Sequence, residues 1–164
     1  ADYLFVGAAL AAQGLIAVLP DYRLYPLVRL PDVLTDSVQA VRGAARHIAA
    51  FGGNPQQVFL MGYAAGTYNA AILPLNGVSL HSAGVAVHRL RGLIGSAGPH
   101  DFLSLIGPVT RAVFGFPGKE ISTQPVHFVS AAAPPALLFT AQQGDLVDPG
   151  NTRRRRRACM QTAA

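Results

Sequence analysis

The segment Met61–Ala71, MGYAAGTYNAA, sets Gly62 and Gly66 four residues apart, between a short apolar run and a helix-like one. A frame of glycine, any residue, a nucleophile, any residue and glycine makes a strained turn that projects its central side chain for attack on a carbonyl. Here the centre is Ala64, flanked by Tyr63 and Ala65. A methyl group has neither a lone pair nor an acidic proton, so the frame is predicted without its chemistry. Two hydroxyl residues fall within reach of such a frame, Thr67 one turn into the helix and Ser96 at the end of a later strand. Neither has a histidine base in view, and both read as ordinary helix and loop residues.

The other chemistry-bearing side chains are scattered. His47, His81, His88, His100 and His127 make no helical pair with another His, Cys or carboxylate at metal-binding spacing, so no metal and no cofactor are expected. His47 reads as solvated on the polar side of a helix, His81 and His88 as loop residues, and His100 and Asp101 as facing apart. Cys159 is the single cysteine, which excludes an internal disulfide and a cysteine metal cluster and makes a cytoplasmic location the expectation.

The elements that must hold the frame come from periodicity. Leu4, Ala8 and Ala11 recur at helical spacing before Gly14, and the run LIAVLP, Leu15 to Pro20, predicts a buried strand. The apolar stretch Leu4 to Leu19 is wrong for a signal or membrane segment: Gln13 and Gly14 interrupt it, no basic region precedes it, and Pro-Asp-Tyr-Arg follows. Leu34, Val38, Val41, Ala45 and Ile48 mark one face of an amphipathic helix, with Asp32 placed to cap it, Gly43 a flaw in its interior, and FGGNP ending it.

Gln57 to Gly62 is the next strand, and Ala64 to Leu73 a helix stopped by Pro74. The segment Asn76 to Val87 reads as loop, Leu90 to Gly98 as a strand, Pro99 to Pro134 as a loop-rich excursion, and Pro135 to Ala141 as a last strand. Short strands apolar on both faces and separated by helices predict a parallel sheet covered on both sides, of about four strands.

Composition agrees with a packed core. The 164 residues are 51% hydrophobic and 13% charged, with a mean hydropathy of +0.32, which excludes disorder for most of the chain and allows one domain. The formal charge is +5, but Arg153 to Arg157 supply five of thirteen basic residues and the rest balance the eight acids. A nucleic-acid surface needs basic groups over a face, so no nucleic-acid partner is expected. The arginine run is either a polyanion-binding tail or the scrambled remnant of a helix. The neutral body favours the second, and with no apolar stripe the run is expected not to dock as an amphipathic helix usually does.

Taken together, PDYRLYP, FGGNPQQVFLMG, GTYNAAIL, LRGLIGSAGPHDFLSL, STQPVHFV and APPALLFTAQQGDLVDPGNT resemble bacterial α/β-hydrolases of the carboxylesterase and lipase type over nearly the whole chain. In that family the elbow reads Gly-His-Ser-Ala-Gly, so the resemblance places the nucleophile on Ala64 and its neighbouring histidine on Tyr63. It makes the backbone N–H of Ala65 one oxyanion donor. Anchoring on Val147 and Asn151 puts a family His-Gly pair on Thr140 and Ala141 and the acid on Gly144, with Asp145 one residue away. Asp36 and Pro20 to Arg23 match fold-supporting positions.

The family histidine belongs beyond Asn151, past a further helix, and finds no place before Ala164. The oxyanion loop and the strand before it belong ahead of Ala1, where the chain opens directly in a helical pattern. The expectation is a partial α/β-hydrolase domain over residues 1–150 with an Arg-rich tail over 151–164, truncated and with its catalytic triad lost. In function it reads as a carboxylic-ester hydrolase homologue that turns nothing over. The alternative is a non-catalytic binding or assembly module, a pseudoenzyme or a half-domain completed by a partner. Candidate partners are a small ester or acyl ligand and a chain that completes the sheet; no membrane span is expected.

Overall fold

The computed structural model describes residues 3–115, 120–140 and 148–162. Their helices are α1 Leu4–Ala11, α2 Leu30–His47, α3 Ala65–Asn76, α4 Val78–Ser82, α5 Pro108–Phe114 and α6 Gly150–Thr162, and their strands are β1 Val58–Tyr63, β2 Leu90–Ser96 and β3 Ala136–Phe139. The strands form one sheet in the order β1-β2-β3, parallel throughout. Parallel neighbours need a crossover, and α3 with α4 supplies the one between β1 and β2.

Alternation along β1 explains what α3 does. Val58, Leu60 and Gly62 point to one face, Phe59, Met61 and Tyr63 to the other. On the first face Ala70 and Ala71 of α3 pack on Leu93, with Leu60 and Leu138 beside them. The small residues of α3 let the helix lie close to the sheet. On the second face Phe59, Met61, Tyr63, Leu137 and Phe139 each remain more than half exposed, although α1 reaches the end of this face where Tyr3 and Tyr63 lie with ring centroids 6.4 Å apart.

The predicted face of α2 is the buried one: Val38 and Val41 join Leu73, Leu80, Val85 and Leu90 in a core cluster. Asp32 does not cap the helix. Arg29 is the N-cap and Asp32 sits in the first turn, where its carboxylate faces the positive end of the helix dipole. The helix runs into a 3-10 turn, Ile48–Phe51, ended by Gly52 at φ 82°, so FGGNP is the terminator expected.

Three further expectations need correction. Residues 15–20 form no strand, because a ladder requires a neighbouring strand to exchange N–H and C=O groups and none of the described strands lies beside them. The sheet therefore has three described strands, and Leu15, Ile16, Val18 and Leu19 are more than 40% exposed. Pro74 does not stop α3, which continues to Asn76 and ends at Gly77 with φ 63°. Within the expected loop Asn76–Val87, α4 forms and buries Leu80 completely.

The excursion after β2 is pinned by an aromatic cluster. Tyr68, 2% exposed, meets Phe102 and Phe114 edge-on at 5.9 and 5.1 Å, and those two rings meet each other at 5.0 Å. The Tyr68 hydroxyl donates to the carbonyl of Thr123 at 2.8 Å, and burial pushes its pKa up. One α3 side chain thus anchors the loop at Phe102, the end of α5 and the turn at Thr123.

Candidate functional site

Parallel strands end on the same side of a sheet, and in α/β folds ligands bind outside those carboxyl ends. Tyr63, Ser96 and Phe139 are the last residues of the three strands, and Tyr63 is in register with Ser96 and Ser96 with Phe139. The segment 62–66 leaves β1 at this edge and enters α3 at once. Ala64 is the joint, at φ 47° and ψ −114°. An L-residue with positive φ carries strain. Ala64 is half-buried at the top of the sheet, and its N–H donates to the carbonyl of Ser96 at 2.9 Å, which ties the joint to β2.

The two frame glycines do different things. A Cβ on Gly62 would collide with the backbone of Gly66 and with the nitrogen of Thr67, whereas a Cβ on Gly66 would meet nothing within 4 Å. Gly62 is needed because the chain doubles back onto it. Gly95 extends the same requirement to β2, since its Cβ would lie 2.6 Å from Cγ2 of Thr67.

Thr67 is fully buried, and its hydroxyl accepts the N–H of Ser96 at 3.1 Å while lying 2.7 Å from the carbonyl of Gly62 and 2.8 Å from that of Ser96. One hydroxyl proton serves one of those carbonyls at a time. The residue is a clasp between the ends of β1 and β2, so its hydroxyl is neither exposed nor available for attack. Ala65 begins α3, and its N–H is one of the first four of the helix, which have no acceptor inside it. Tyr63, in the position beside the centre, is 57% exposed.

Gly144 and Asp145, the expected acid position and its neighbour, lie outside the described residues, as does Ala141; Thr140 follows β3 and is exposed. The structure thus gathers Gly62, Tyr63, Ala64, Ala65, Gly66, Thr67 and the end of β2 at one edge. Among the described residues no three His, Cys, Asp or Glu side chains group as a metal set, and no helix is long and apolar enough to cross a membrane.

A second polar cluster next to this edge escaped the sequence reading. His100, Gln124 and Thr123 are buried, as are Asn151 and Arg155 of α6. Asn151 Oδ1 accepts the N–H groups of His100 and Asp101 at 3.0 and 2.8 Å, and Gln124 Oε1 accepts that of Phe102 at 2.8 Å. Arg154 Nε meets Asp101 Oδ2 at 2.7 Å, its Nη2 donates to the Asp101 carbonyl at 2.7 Å, and its Nη1 lies 3.3 Å from Asp148 Oδ2. The Gly150 N–H, followed by Arg154, holds the Asp148 carboxyl below its ordinary range.

Arg155 is 1% exposed and its Nη1 approaches Nδ1 of His100 at 3.5 Å. Burial, with Arg155 adding to it, lowers the His100 pKa to about 3. Arg154 and Arg155 of the arginine run nonetheless dock, through polar contacts. The run has no apolar stripe, but the Asp101 carboxylate and carbonyl receive Arg154, and the His100 ring of the same loop meets Arg155. The spacing of Asn151, Arg154 and Arg155 on one helical face was the available signal.

Away from this edge, Arg23 grips Asp36 through Nε and Nη2 at 2.9 and 2.8 Å and through its own N–H at 3.0 Å. These bonds hold the Asp36 carboxyl at about 2. Asp36 and Arg23 join the start of α2 to the segment before it, as fold-supporting positions should.

A family model of the alpha/beta hydrolase fold matches residues 5–114. The isoprenylcysteine alpha-carbonyl methylesterase of Arabidopsis thaliana is 30% identical over 105 residues, 62% of this chain and 25% of that protein. The phenmedipham hydrolase of Pseudarthrobacter oxydans is 40% identical over 65 residues, 36% of this chain and 13% of that protein. Among solved structures, an acetyl ester-xyloside bifunctional hydrolase from Caldicellulosiruptor lactoaceticus aligns with a TM-score of 0.84 at 18% identity, covering 97% of this chain and 61% of that one. Esterase 2 of Thermogutta terrifontis aligns with a TM-score of 0.81 at 23% identity, covering 98% and 61%. The chain spans a quarter or less of the length of these two curated relatives.

Proposed function

Since this chain belongs to the α/β-hydrolase fold family and is an esterase-like homologue within it, we propose that it keeps the elbow of an ester hydrolase but opens no ester through an acyl-enzyme. The observation that carries this reading is Ala64 at the strained joint between β1 and α3. A serine there would lose its proton to a base and form the new bond to the ester carbonyl carbon; the methyl of alanine can do neither. Loss of the serine alone costs about a million-fold in such enzymes. Thr67 offers no substitute, because its hydroxyl is buried and spent on β1 and β2. The Ala65 N–H at the start of α3 is the expected oxyanion donor, and Gly144 with Asp145 the expected acid segment.

The test is hydrolysis of p-nitrophenyl acetate above the buffer rate, with intact-mass detection of a fluorophosphonate adduct. No turnover and no adduct are expected. Turnover that persists in Thr67→Val would mean that another nucleophile is at work and would overturn the proposal. Ala64→Ser is expected to gain nothing, since none of the hydrogen bonds among the described residues brings an imidazole to the elbow.

A second reading has its own observation. Phe59, Met61, Tyr63, Leu137 and Phe139 of the apolar sheet face are each more than half exposed, with Ile94 between them half-buried, as they would be in a binding or assembly module whose sheet a partner chain covers. A monodisperse monomer by light scattering at tens of micromolar would remove it. The cytoplasmic placement goes with either reading; the single cysteine supports it, as does the stretch Leu4 to Leu19, which is unlike a signal peptide.

A further inference from the structure

Burying a guanidinium is expensive unless a carboxylate accompanies it, and Arg155 is 1% exposed with an imidazole, not a carboxylate, 3.5 Å from its Nη1. Only a neutral imidazole can face a cation this way. With Nδ1 accepting, the ring proton sits on Nε2, and that atom and Arg155 Nε are both buried without a hydrogen-bond partner among the described residues. The pair joins two elements. His100 belongs to the loop that leaves β2 beside the elbow, and Arg155 lies in the middle of α6. We propose that His100 and Arg155 form an acid-sensitive latch that fastens α6 to the loop after β2 and releases it when the imidazole gains a proton.

Among the described residues the surroundings leave an added charge unanswered. From α6 come Arg155 itself, Arg154, whose charge is already met by Asp101 and Asp148, and Cys159, which hydrogen-bonds to Arg155. From the loop comes Asp101, held on the Arg154 side. From α3 come Thr67 and Tyr68, whose hydroxyls are engaged with β-strand and loop carbonyls. From the turn 125–128 comes His127, which is exposed, next to Val126, whose N–H donates to the carbonyl of His100. A proton on His100 would therefore set two buried cations against each other.

The sign follows from linkage. The His100 pKa is lower in the folded chain, about 3, than the ordinary value of 6.5, so the docked state binds fewer protons between these limits. The latch is fully closed above about pH 6.5 and weakens as pH falls below it, by up to tenfold in the docked-to-released ratio per pH unit.

The experiment is hydrogen exchange of the whole chain at pH 7, 6 and 5, above the range in which carboxylates usually titrate, corrected for intrinsic exchange rates. Protection over residues 150–162 should fall by about twenty-five-fold between pH 7 and 5 while that of β2 and α3 holds. His100→Gln should abolish the pH dependence, and His127→Gln should leave it as in the wild type. Three results would overturn the latch: α6 protection independent of pH, a parallel loss in α6, β2 and α3, or the wild-type slope persisting in His100→Gln. If His100→Gln does not fold, nuclear magnetic resonance of the wild-type ring decides. His100 should stay neutral while α6 is protected, and a ring that titrates near pH 6.5 with α6 still docked would overturn the proposal.

Discussion

Replacing Ala64 by glycine removes a methyl group from a half-buried position, and the geometry of the joint says that this should stabilise the protein. At φ 47° and ψ −114° an L-residue carries about 1–3 kcal/mol of strain that glycine does not. Against this stand two losses. Glycine gives up about 0.5–1 kcal/mol more conformational entropy on folding, and a half-buried methyl forfeits at most about 0.4 kcal/mol, half of a buried methylene. The balance is a gain of about 1 kcal/mol. In a chain of this length that corresponds to about 2–4 °C in Tm, and in urea to a higher midpoint with an unchanged slope. Ala97, at φ 50°, should respond in the same direction. Ala44, inside α2, is the control: Ala44→Gly should cost about 1 kcal/mol. If Ala64→Gly falls below wild type by as much as Ala44→Gly does, the elbow is not strained and the reasoning fails.

Three further outcomes can be read by the same denaturation assay. Gly62→Ala should cost about 3 kcal/mol or more, because its Cβ would enter the backbone of Gly66 and Thr67, while Gly66→Ala should lie within about 0.5 kcal/mol of wild type or above it. Asn151→Ala strips the acceptor from two N–H groups of a buried segment and should cost about 2–4 kcal/mol, whereas Asn151→Asp, which keeps an oxygen there, should lose less. The Asp36 carboxyl is held at about 2, below its ordinary value, so the Arg23–Asp36 contribution is present above about pH 4 and lost as pH falls through 2. The acid limb of the stability profile should accordingly flatten in Asp36→Asn, and an unchanged limb would show that this exposed pair contributes nothing.

The frame Gly62 to Gly66 was legible because strand, tight turn and helix each leave a local mark in the sequence. So was α2, whose buried Val38 and Val41 stand on the predicted face. What stayed hidden depended on partners distant in sequence. The apolar residues 15–20 look like a strand, but pairing belongs to a neighbour and not to the run itself. Pro74 looked like a stop, yet it sits close enough to the natural end of α3 for the helix to absorb it. The arginines looked unable to dock as an amphipathic helix does, for want of an apolar stripe, while Arg154 and Arg155 dock through Asp101 and His100. Thr67 showed only as one more helical threonine, and nothing local marks it as the clasp between two strands. The glycine pair looked symmetric in sequence, and only the doubling back of the chain makes Gly62 indispensable and Gly66 replaceable.

The parallel register also has a kinetic consequence. β1 ends at Tyr63 and its partner begins at Leu90; β2 ends at Ser96 and its partner begins at Ala136. No hairpin can zip this sheet from a tight turn, so each ladder must wait for a long loop to close before its first contact is rewarded. Helix α2 needs no such wait and forms its turns from neighbours. A nascent chain therefore spends its early life with helices in place and Phe59, Met61 and the β2 run unpaired. Soluble yield should follow the rate at which β1 finds β2 more closely than the stability of the finished fold, and slower synthesis at lower temperature should raise it.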